Sequence, residues 1–484
     1  MFKRKIYDKL LAWKQESAGK TALLIEGARR IGKSTVVEEF AKNEYDSYIL
    51  IDFSTASKNV RELFEDVSDL NYLFLQLQFQ YRTDLIERKS LIIFDEVQLC
   101  PLARQAIKSL VKDHRYDYIE TGSLISIKKN VQNILIPSEE RKISMFPMDY
   151  EEFLWALGDT TTPVLLQKLF TAQKPAGESM NRKLLRDFRL YMLVGGMPQA
   201  IDEYIQTNNF RKVDAIKRDI LSLYEDDFKK IDATGKLSLL FDSIPAQLNK
   251  NASRYQVSSV LSNERADTIL ELIAELKDSK TVLVSYHAND PNAGMATNKD
   301  LSKFKLFLCD TGLFTTLMFK DKDFTENIIY EKLLNDKLGT NLGYLYENVV
   351  AQLLHSNGNE LFYHTFMNKT SHHNYEVDFL LAQKNKVCPI EVKSSGYKTH
   401  KSLDAFSLKY SDRILQKYLV YTKDFCKDGD IICLPIYMVP FIKKEQKGSR
   451  GEGVLRVPLR KRVLRPLYAR EEQKIRLKRK ESGS

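Results

Sequence analysis

An α/β fold is predicted by three features of this sequence. A short apolar run of strand type, residues 21–25, leads into a glycine-containing loop and then into a segment of helical spacing at 34–42. A second apolar run, residues 91–94, is followed at once by Asp95 and Glu96. Further apolar runs alternate with helical stretches through the first third of the chain. This alternation is typical of an α/β domain.

The glycine loop fits the pattern G-x-x-x-x-G-K-[ST] with no position missing. Gly27 and Gly32 let the backbone direct N–H groups at phosphate oxygens, and the following helix adds its positive N-terminal dipole. We expect Lys33 to reach the β- and γ-phosphates and the Ser34 hydroxyl to ligate Mg²⁺. A turn that happens to contain Gly-Lys-Ser is the alternative, and the flanking strand and helix argue against it. The predicted nucleotide-binding residues are Gly27, Ala28, Arg29, Arg30, Ile31, Gly32, Lys33, Ser34 and Thr35.

The second apolar run has the form of a Walker B strand. Asp95 is expected to bind the Mg²⁺ directly or through water, and Glu96 to orient and polarise the attacking water. An acidic pair after an apolar run is also typical of a solvated strand end. The intact glycine loop in the same domain favours the catalytic interpretation.

Length and composition indicate a folded protein of roughly two to four domains. The chain has 484 residues, of which 43% are hydrophobic. We expect no membrane partner, because no apolar run is long enough to cross a bilayer and the N-terminus lacks the apolar core of a signal peptide. The five cysteines form no C-x-x-C pair and no zinc spacing, so a reducing, cytoplasmic location is expected.

The basic excess of the chain lies entirely in one segment. The net charge is +10, and residues 443–484 hold 15 Lys and Arg against 5 Asp and Glu. The rest of the chain is therefore neutral, and its charge balance points to no particular partner. We expect 443–484 to be a disordered basic tail or a segment from an altered reading frame; a basic arm that binds nucleic acid is the functional alternative.

Several motifs together resemble a family of prokaryotic ATPases of the AAA type. They occur in the order GARRIGKST at 27–35, IIFDEVQ at 92–98, ETGS at 120–123, R-x-I-x-x-F-P-x-x-x-x-E-F-L at 141–154 and a glycine-glycine-x-proline turn at 195–198. The resemblance covers roughly residues 1–442. It implies a P-loop NTPase domain of the ASCE/AAA type, ATP and Mg²⁺ as ligands, and a C-terminal domain of unknown function.

The resemblance also implies roles for single residues. Ser123 or Thr121 would contact the γ-phosphate or the lytic water, although T-G-S is equally typical of a turn. Arg30 and Ser34 stand where Gln and Thr are commoner in the family, and Ser is chemically equivalent for Mg²⁺. AAA-type relatives often form rings, so a homo-oligomer or a protein partner is implied.

The middle of the chain is predicted to be helical and then to resemble a winged helix. The pattern predicts helices at 237–249, 256–262 and 265–278, followed by a strand at 281–286. The third helix, in the recognition position, carries more acidic than basic residues. That charge argues against strong contact with phosphate.

A second group of polar residues follows in the C-terminal third. A helix at 343–354 precedes strands at 361–364, 375–381 and 387–393. This order resembles the core of the PD-(D/E)xK nuclease superfamily, α-β-β-β-α-β. The resemblance implies an α/β nuclease-like domain.

The residue types in this region fit metal-dependent cleavage. Glu391 and Lys393 face the same side of a strand because side chains alternate. Asp378 on the neighbouring strand and Glu347 would join Glu391 in an oxygen cage for Mg²⁺, with Asp378 and Glu391 as the metal ligands. Lys393 would lie beside the metal-bound water. A Glu391–Lys393 ion pair in a purely structural domain is the alternative.

The predicted function is ATP binding and hydrolysis, dependent on Mg²⁺ and coupled to a nuclease-like domain that acts on DNA or RNA. The alternative is a nucleotide-gated switch or scaffold whose C-terminal domain binds DNA or protein without cleaving. The predicted domains are the P-loop ATPase domain 1–158, a helical region 159–235, a winged-helix-like domain 236–320, the nuclease-like domain 321–442 and the tail 443–484.

Overall fold

The computed structural model describes most of the chain up to residue 442. The described stretches are 1–123, 134–250, 253–262, 264–321, 327–335, 343–368, 374–395 and 399–442. Residues 1–444 belong to one compact unit. The predicted tail lies outside the described residues. None of the helices in the described stretches combines the length and the apolar character needed to cross a lipid bilayer.

The N-terminal part is a five-stranded parallel sheet in the order β2-β3-β4-β1-β5, which confirms the predicted α/β class. Strands β1, β3 and β4 are buried along their whole length, because helices cover both faces of the sheet. The strands are β1 Ala22–Glu26, β2 Ser47–Asp52, β3 Ser90–Asp95, β4 Asp117–Gly122 and β5 Glu140–Ser144. The helices are α1 Ile6–Ser17, α2 Lys33–Glu44, α3 Lys58–Glu62, α4 Leu70–Tyr81 and α5 Pro101–Asp113.

A layer of helices follows the sheet. The first of them begins with a capping box, in which Asp149 and Glu152 satisfy each other's backbone N–H groups, as the start signals in the sequence predict. A helix that begins at Pro198 follows the glycine-glycine turn directly. These helices are α6 Tyr150–Ala156, α7 Thr161–Ala172, α8 Glu178–Val194, α9 Pro198–Thr207 and α10 Phe210–Ile231.

The segment predicted to be a winged helix differs from that prediction in two ways. The expected helix at 256–262 is only a 3-10 turn, Val257–Ser259. The hairpin β6–β7 also does not stand alone, because β6 pairs in parallel with the first strand of the C-terminal part. The elements here are α11 Lys236–Asp242, α12 Ile244–Asn249, α13 Ala266–Asp278, β6 Val282–Ala288 and β7 Lys299–Leu308.

The hairpin therefore forms one edge of an eight-stranded sheet, in the order β12-β13-β11-β10-β9-β8-β6-β7. Strands β8, β9 and β10 are antiparallel, and β11 pairs with β10 in parallel. The elements are α14 Thr311–Leu317, α15 Asn327–Leu334, α16 Gly343–Ser356, β8 Phe362–Phe366, β9 Tyr375–Gln383, β10 Lys386–Val392, α17 Lys401–Tyr410, β11 Lys417–Tyr421, β12 Cys426–Asp428 and β13 Ile431–Pro435. The run from α16 to β11 has the predicted order α-β-β-β-α-β.

One hydrophobic cluster connects the three parts. It includes Leu23 and Ile25 of the first sheet, Phe188 of the helical layer, and Leu354 and Leu434 of the C-terminal part, all buried. The helical layer thus packs against both sheets. This arrangement places helices α9 and α10 beside the glycine loop and α16 beside the second sheet.

Candidate nucleotide site and C-terminal acidic cluster

The glycine loop connects β1 to α2, and its two glycines are needed for different reasons. Gly32 has φ +89° directly before α2, a left-handed conformation that costs other residues energy. At Gly27 a β-carbon would lie 2.5 Å from the backbone oxygen of Met145. A larger residue would therefore clash with the backbone at position 27 and strain the backbone at position 32.

The Lys33 side chain lies inside the loop. Its Nζ donates hydrogen bonds to the carbonyl oxygens of Gly27 at 3.0 Å and Ala28 at 2.8 Å. Burial lowers the pKa of Lys33 to about 8, against the opposing attraction of Glu96 and Asp95. Neutral carbonyl oxygens do not compensate the ammonium charge, so this lysine remains available to an anion.

The start of α2 and the carboxyl ends of β3 and β4 bring together the two predicted metal ligands, Ser34 and Asp95, and the predicted phosphate contact Thr121. The Ser34 hydroxyl donates to Asp95 Oδ1 at 2.8 Å, and the Thr121 hydroxyl donates to the same oxygen. Hydroxyl and carboxylate oxygens are the ligands that Mg²⁺ prefers, so Ser34 and Asp95 fit the predicted metal role. Of the two candidates at the end of β4, Thr121 contacts Asp95, whereas Ser123 lies in the wall of a cavity.

A cavity of about 580 Å³ opens beside the loop. Glu96 lines it from a left-handed backbone conformation, φ +52°, that is uncommon for a residue with a side chain. Gln98 Nε2 donates to Glu96 Oε2. The residues that line the cavity are Arg29, Arg30, Gly32, Lys33, Ser34, Thr35, Ser54, Glu96, Gln98, Leu99, Ser123, Pro198, Gln199, Asp227, Lys230 and Ile231. The predicted Lys33, Ser34, Glu96 and Ser123 thus share one cavity.

The helical layer supplies lining residues that sequence reasoning missed. Pro198 belongs to the glycine-glycine-x-proline motif, so a sequence pattern did mark this lining residue as notable. Asp227 of α10 has no comparable signal, because it lies in a mixed run of acidic and basic residues. Asp227 Oδ1 binds Arg29 Nη1 at 3.0 Å, and the Tyr224 hydroxyl donates to the Arg29 carbonyl at 3.1 Å. The Arg29 side chain is therefore held by α10.

An arginine near the N-terminus also supports the loop. Arg4 is buried and donates to the carbonyl oxygens of Ile31 and Phe146, each at 2.7 Å. Its Nε lies 3.2 Å from Glu152 Oε1. Arg4 thus ties the glycine loop to the start of α6, and no sequence pattern indicated it.

The four C-terminal candidates lie near one another. Lys393 Nζ is 2.5 Å from Glu391 Oε1, and Asp378 Oδ2 accepts the Val392 N–H at 2.7 Å. Burial raises the pKa of Asp378 well above its usual value, with Glu347 as the next largest cause. Glu347 lies on α16 and Asp378 on β9, so a helix and a strand both contribute carboxylates to this region.

Two further charged residues complete this C-terminal acidic cluster. Lys305 Nζ contacts Glu376 Oε1 and lies 3.6 Å from Glu347 Oε2. Burial lowers the pKa of Lys305, but Glu347 and Glu376 attract its charge and raise the pKa above its ordinary value. Glu376 stands two residues before Asp378, so strand alternation was a signal for it. No sequence pattern places Lys305 in this cluster, because its strand falls within the predicted winged-helix-like domain.

The predicted magnesium cage does not fit these residues as they are arranged. Within the described stretches, no group of three or more His, Cys, Asp or Glu side chains is placed to hold a metal ion. Asp378 and Glu391, the expected metal ligands, instead accept from Val392 N–H and pair with Lys393. The physical reason is that a lysine or a backbone N–H already engages one oxygen of each carboxylate.

Family models match three parts of the chain. An AAA domain matches residues 19–154, a domain of unknown function (DUF8612) matches 185–323, and another (DUF4143) matches 342–439. The first match spans the parallel sheet, the glycine loop and the strand that ends in Asp95. Residues 19–154 are thus similar to an AAA domain. The two other matches carry no function in their descriptions.

Among sequences of curated proteins, none matches this chain. Solved structures match it at low identity. The Walker-type ATPase PABY2304 of Pyrococcus abyssi has 14% identity and a TM-score of 0.40 over 66% of this chain and 96% of that one. The Aeropyrum pernix Orc1 protein in complex with DNA has 12% identity and a TM-score of 0.27 over 69% of this chain and 93% of that one. C. elegans PCH-2 has 12% identity and a TM-score of 0.27 over 43% of this chain and 65% of that one.

Proposed function

We propose that the AAA-type domain binds ATP with Mg²⁺ and hydrolyses it. The observation that carries this proposal is the contact between the Ser34 hydroxyl and Asp95 at 2.8 Å, next to the cavity that Lys33 and Glu96 line. A phosphate-binding lysine, two oxygen ligands for Mg²⁺ and a carboxylate for water are the parts that phosphoryl transfer needs. The AAA match over residues 19–154 supports the choice of ATP.

Each residue would have a separate task. Lys33 would exchange its carbonyl partners for phosphate oxygens, and the loop N–H groups would hold the remaining phosphate charge. Ser34 and Asp95 would hold Mg²⁺, which neutralises charge on the β- and γ-phosphates when bound. Glu96 would accept hydrogen bonds from the attacking water and polarise it. Ser123, on the cavity wall, would contact the γ-phosphate or that water.

We propose further that the state of the nucleotide is transmitted through the helical layer to the C-terminal part. Pro198 lines the cavity, and the preceding Gly196 donates its N–H to Asp310 Oδ2 at 2.6 Å. Asp310 precedes Thr311, whose N–H donates to Gln352 Oε1 at 2.9 Å. Gln352 lies on α16, the helix that carries Glu347. This continuous series of contacts supports a coupling between the two sites, and coupling itself must be measured.

Substitution of Glu96 by Gln tests the enzymatic proposal. We expect the turnover number for ATP to fall by about 10²–10⁴ because the carboxylate that polarises water is lost. ATP affinity, measured by calorimetry, should stay unchanged because the phosphate contacts remain. Glu39→Gln, on the neighbouring helix outside the cavity, is the matched control and should keep full turnover. Undiminished turnover in Glu96→Gln would overturn the proposal.

Two candidate roles remain for the C-terminal part, which we propose acts on DNA or RNA or on a protein partner. One is metal-dependent cleavage of nucleic acid through Glu347, Asp378, Glu391 and Lys393. The other is a nucleotide-gated switch that binds without cleaving. The position of Lys305 among the carboxylates favours the second.

Cleavage of labelled DNA and RNA, single- and double-stranded, separates the two roles. The assay contains Mg²⁺ and is run with and without ATP, for the wild-type protein and for Lys393→Ala. Cleavage that Lys393→Ala abolishes would support the nuclease, and a dependence on ATP would support coupling. ATP hydrolysis without cleavage would support the switch.

A further inference from the structure

The C-terminal acidic cluster contains more carboxylates than cations. Its members are Glu347, Glu376, Asp378 and Glu391 with Lys305 and Lys393. The two lysines differ in depth, since the Lys305 side chain is 8% exposed and the Lys393 side chain is 34% exposed. Lys305 is therefore the interior cation of the cluster.

Lys305 reaches the carboxylates from the far edge of the second sheet. It lies on β7, the strand at one edge of the sheet. Glu376 and Asp378 lie on β9, and strands β6 and β8 separate β7 from β9. A buried ammonium group is costly unless it is paired and hydrogen-bonded. Glu376 and Glu347 provide that pairing, and the Tyr363 ring lies 5.6 Å from Lys305 Nζ. These contacts fix the position of the Lys305 ammonium group inside the cluster.

The same contacts engage one oxygen of each carboxylate in the cluster. Mg²⁺ needs close to six oxygen ligands at about 2.1 Å. Glu376 and Glu347 face Lys305, Asp378 Oδ2 accepts the Val392 N–H, and Glu391 Oε1 pairs with Lys393. Glu391 Oε2 is buried without a hydrogen-bond partner among the described residues. A divalent cation would have to displace these partners, and an ammonium within a few ångströms repels a second cation.

We propose that the Lys305 ammonium is the resident cation of the C-terminal acidic cluster and takes the place of the Mg²⁺ predicted from the sequence. The cluster then holds α16, β7 and β9 together by ion pairing. The domain keeps the carboxylates of a metal site without the metal. The proposal concerns the C-terminal part alone, so it holds or fails separately from ATP hydrolysis at the P-loop.

Titration of the full chain with Mn²⁺ in the absence of nucleotide, followed by electron paramagnetic resonance, tests the proposal. The variant is Lys305→Met, which removes the charge and keeps most of the side-chain volume. The matched control is Lys303→Met, since Lys303 lies two residues away on β7 and pairs with Asp300 outside the cluster. We expect Lys305→Met to gain one Mn²⁺ site roughly a hundredfold tighter than any nucleotide-independent binding in wild type, because removal of a nearby like charge favours the cation.

The double variant Lys305→Met/Asp378→Asn should lose the gained site, which assigns it to the cluster. A folded Lys305→Met variant, judged by circular dichroism, that gains no site would overturn the proposal. The comparison of wild type with Asp378→Asn provides a test that does not require Lys305→Met to fold. Their Mn²⁺ titrations should coincide, and a wild-type site that Asp378→Asn removes would show that a metal, and not Lys305, is the resident cation.

Discussion

The nucleotide site and the C-terminal acidic cluster are built from the same kinds of side chain, a buried lysine and carboxylates near strand ends. The partners of the lysine differ. Lys33 Nζ binds two carbonyl oxygens of its own loop, whereas Lys305 Nζ lies against Glu376 and Glu347. Carbonyl partners leave a full positive charge to attract phosphate, and carboxylate partners neutralise it. A buried lysine thus indicates an anion site only when its own partners are uncharged.

The carboxylates of the two sites also differ in whether their partners carry charge. Asp95 accepts from the hydroxyls of Ser34 and Thr121, which carry no charge, so its negative charge remains available to a cation. Glu347 and Asp378 share their surroundings with Lys305 and with each other, and burial raises the pKa of both. The first arrangement favours an external ion and the second an internal ion pair.

The largest effect that separates the two sites is expected on ATP binding. Lys33→Ala should weaken ATP affinity roughly a hundredfold, because a charge-assisted contact to phosphate is lost. Lys305→Met should leave the affinity unchanged. Calorimetric titration with ATP and Mg²⁺ checks both. Equal losses in the two variants would contradict the comparison.

The two lysines should also affect stability differently as pH changes. Burial places the folded-state pKa of Lys33 at about 8, below the value of about 10.4 in the unfolded chain. The unfolded state therefore binds more protons between these values, and stability rises with pH across this window. For Lys305 the folded-state pKa is raised, so its contribution is complete below about pH 10 and is lost only above it.

Urea unfolding of the nucleotide-free protein measures this difference. Between about pH 7.5 and 9.5, Lys33→Met should lack roughly 2 kcal/mol of the rise in unfolding free energy seen in wild type. Lys305→Met should retain that rise, whatever its absolute stability. If the unfolding free energy rises equally with pH in wild type and in Lys33→Met, then burial does not lower the pKa of Lys33.

A smaller effect distinguishes the two hydroxyl candidates of the nucleotide site. Thr121→Val keeps the side-chain shape and removes the hydrogen bond to Asp95. We expect the Mg²⁺ concentration needed for half-maximal hydrolysis to rise about tenfold, because a group that orients a metal ligand is lost. Ser123→Ala, on the cavity wall, should lower turnover without changing the Mg²⁺ dependence. The opposite pattern would assign the metal-orienting role to Ser123.

The smallest expected effect concerns the contact between the loop and the helical layer. Asp227→Asn removes the charge that holds Arg29, and the freed guanidinium becomes available to phosphate. ATP affinity should rise by no more than about fivefold, because partly exposed ion pairs contribute only about 0.2–1 kcal/mol. Asp226→Asn is the control, since Asp226 pairs with the exposed Lys229. A large loss of affinity in Asp227→Asn would show that this ion pair shapes the loop.

Local patterns were sufficient for much of the first site. A glycine loop between a strand and a helix, and an apolar run that ends in Asp95, each specify their geometry within about ten residues. Parallel strands then bring Ser34 and Asp95 to the same edge of the sheet. For this reason the α/β class, the glycine loop and the Walker B strand could be predicted from the sequence alone.

Tertiary structure alone decided which distant residues complete each site. Asp227 lies 198 residues from Arg29, and Lys305 lies 71 residues from Glu376. No short-range period connects such positions, because they meet only after helices and strands have packed. The β6–β7 hairpin was assigned to a separate domain for the same reason, since strand pairing with β8 depends on the whole sheet. That pairing brings a lysine into a cluster of carboxylates that the sequence alone predicted to hold magnesium.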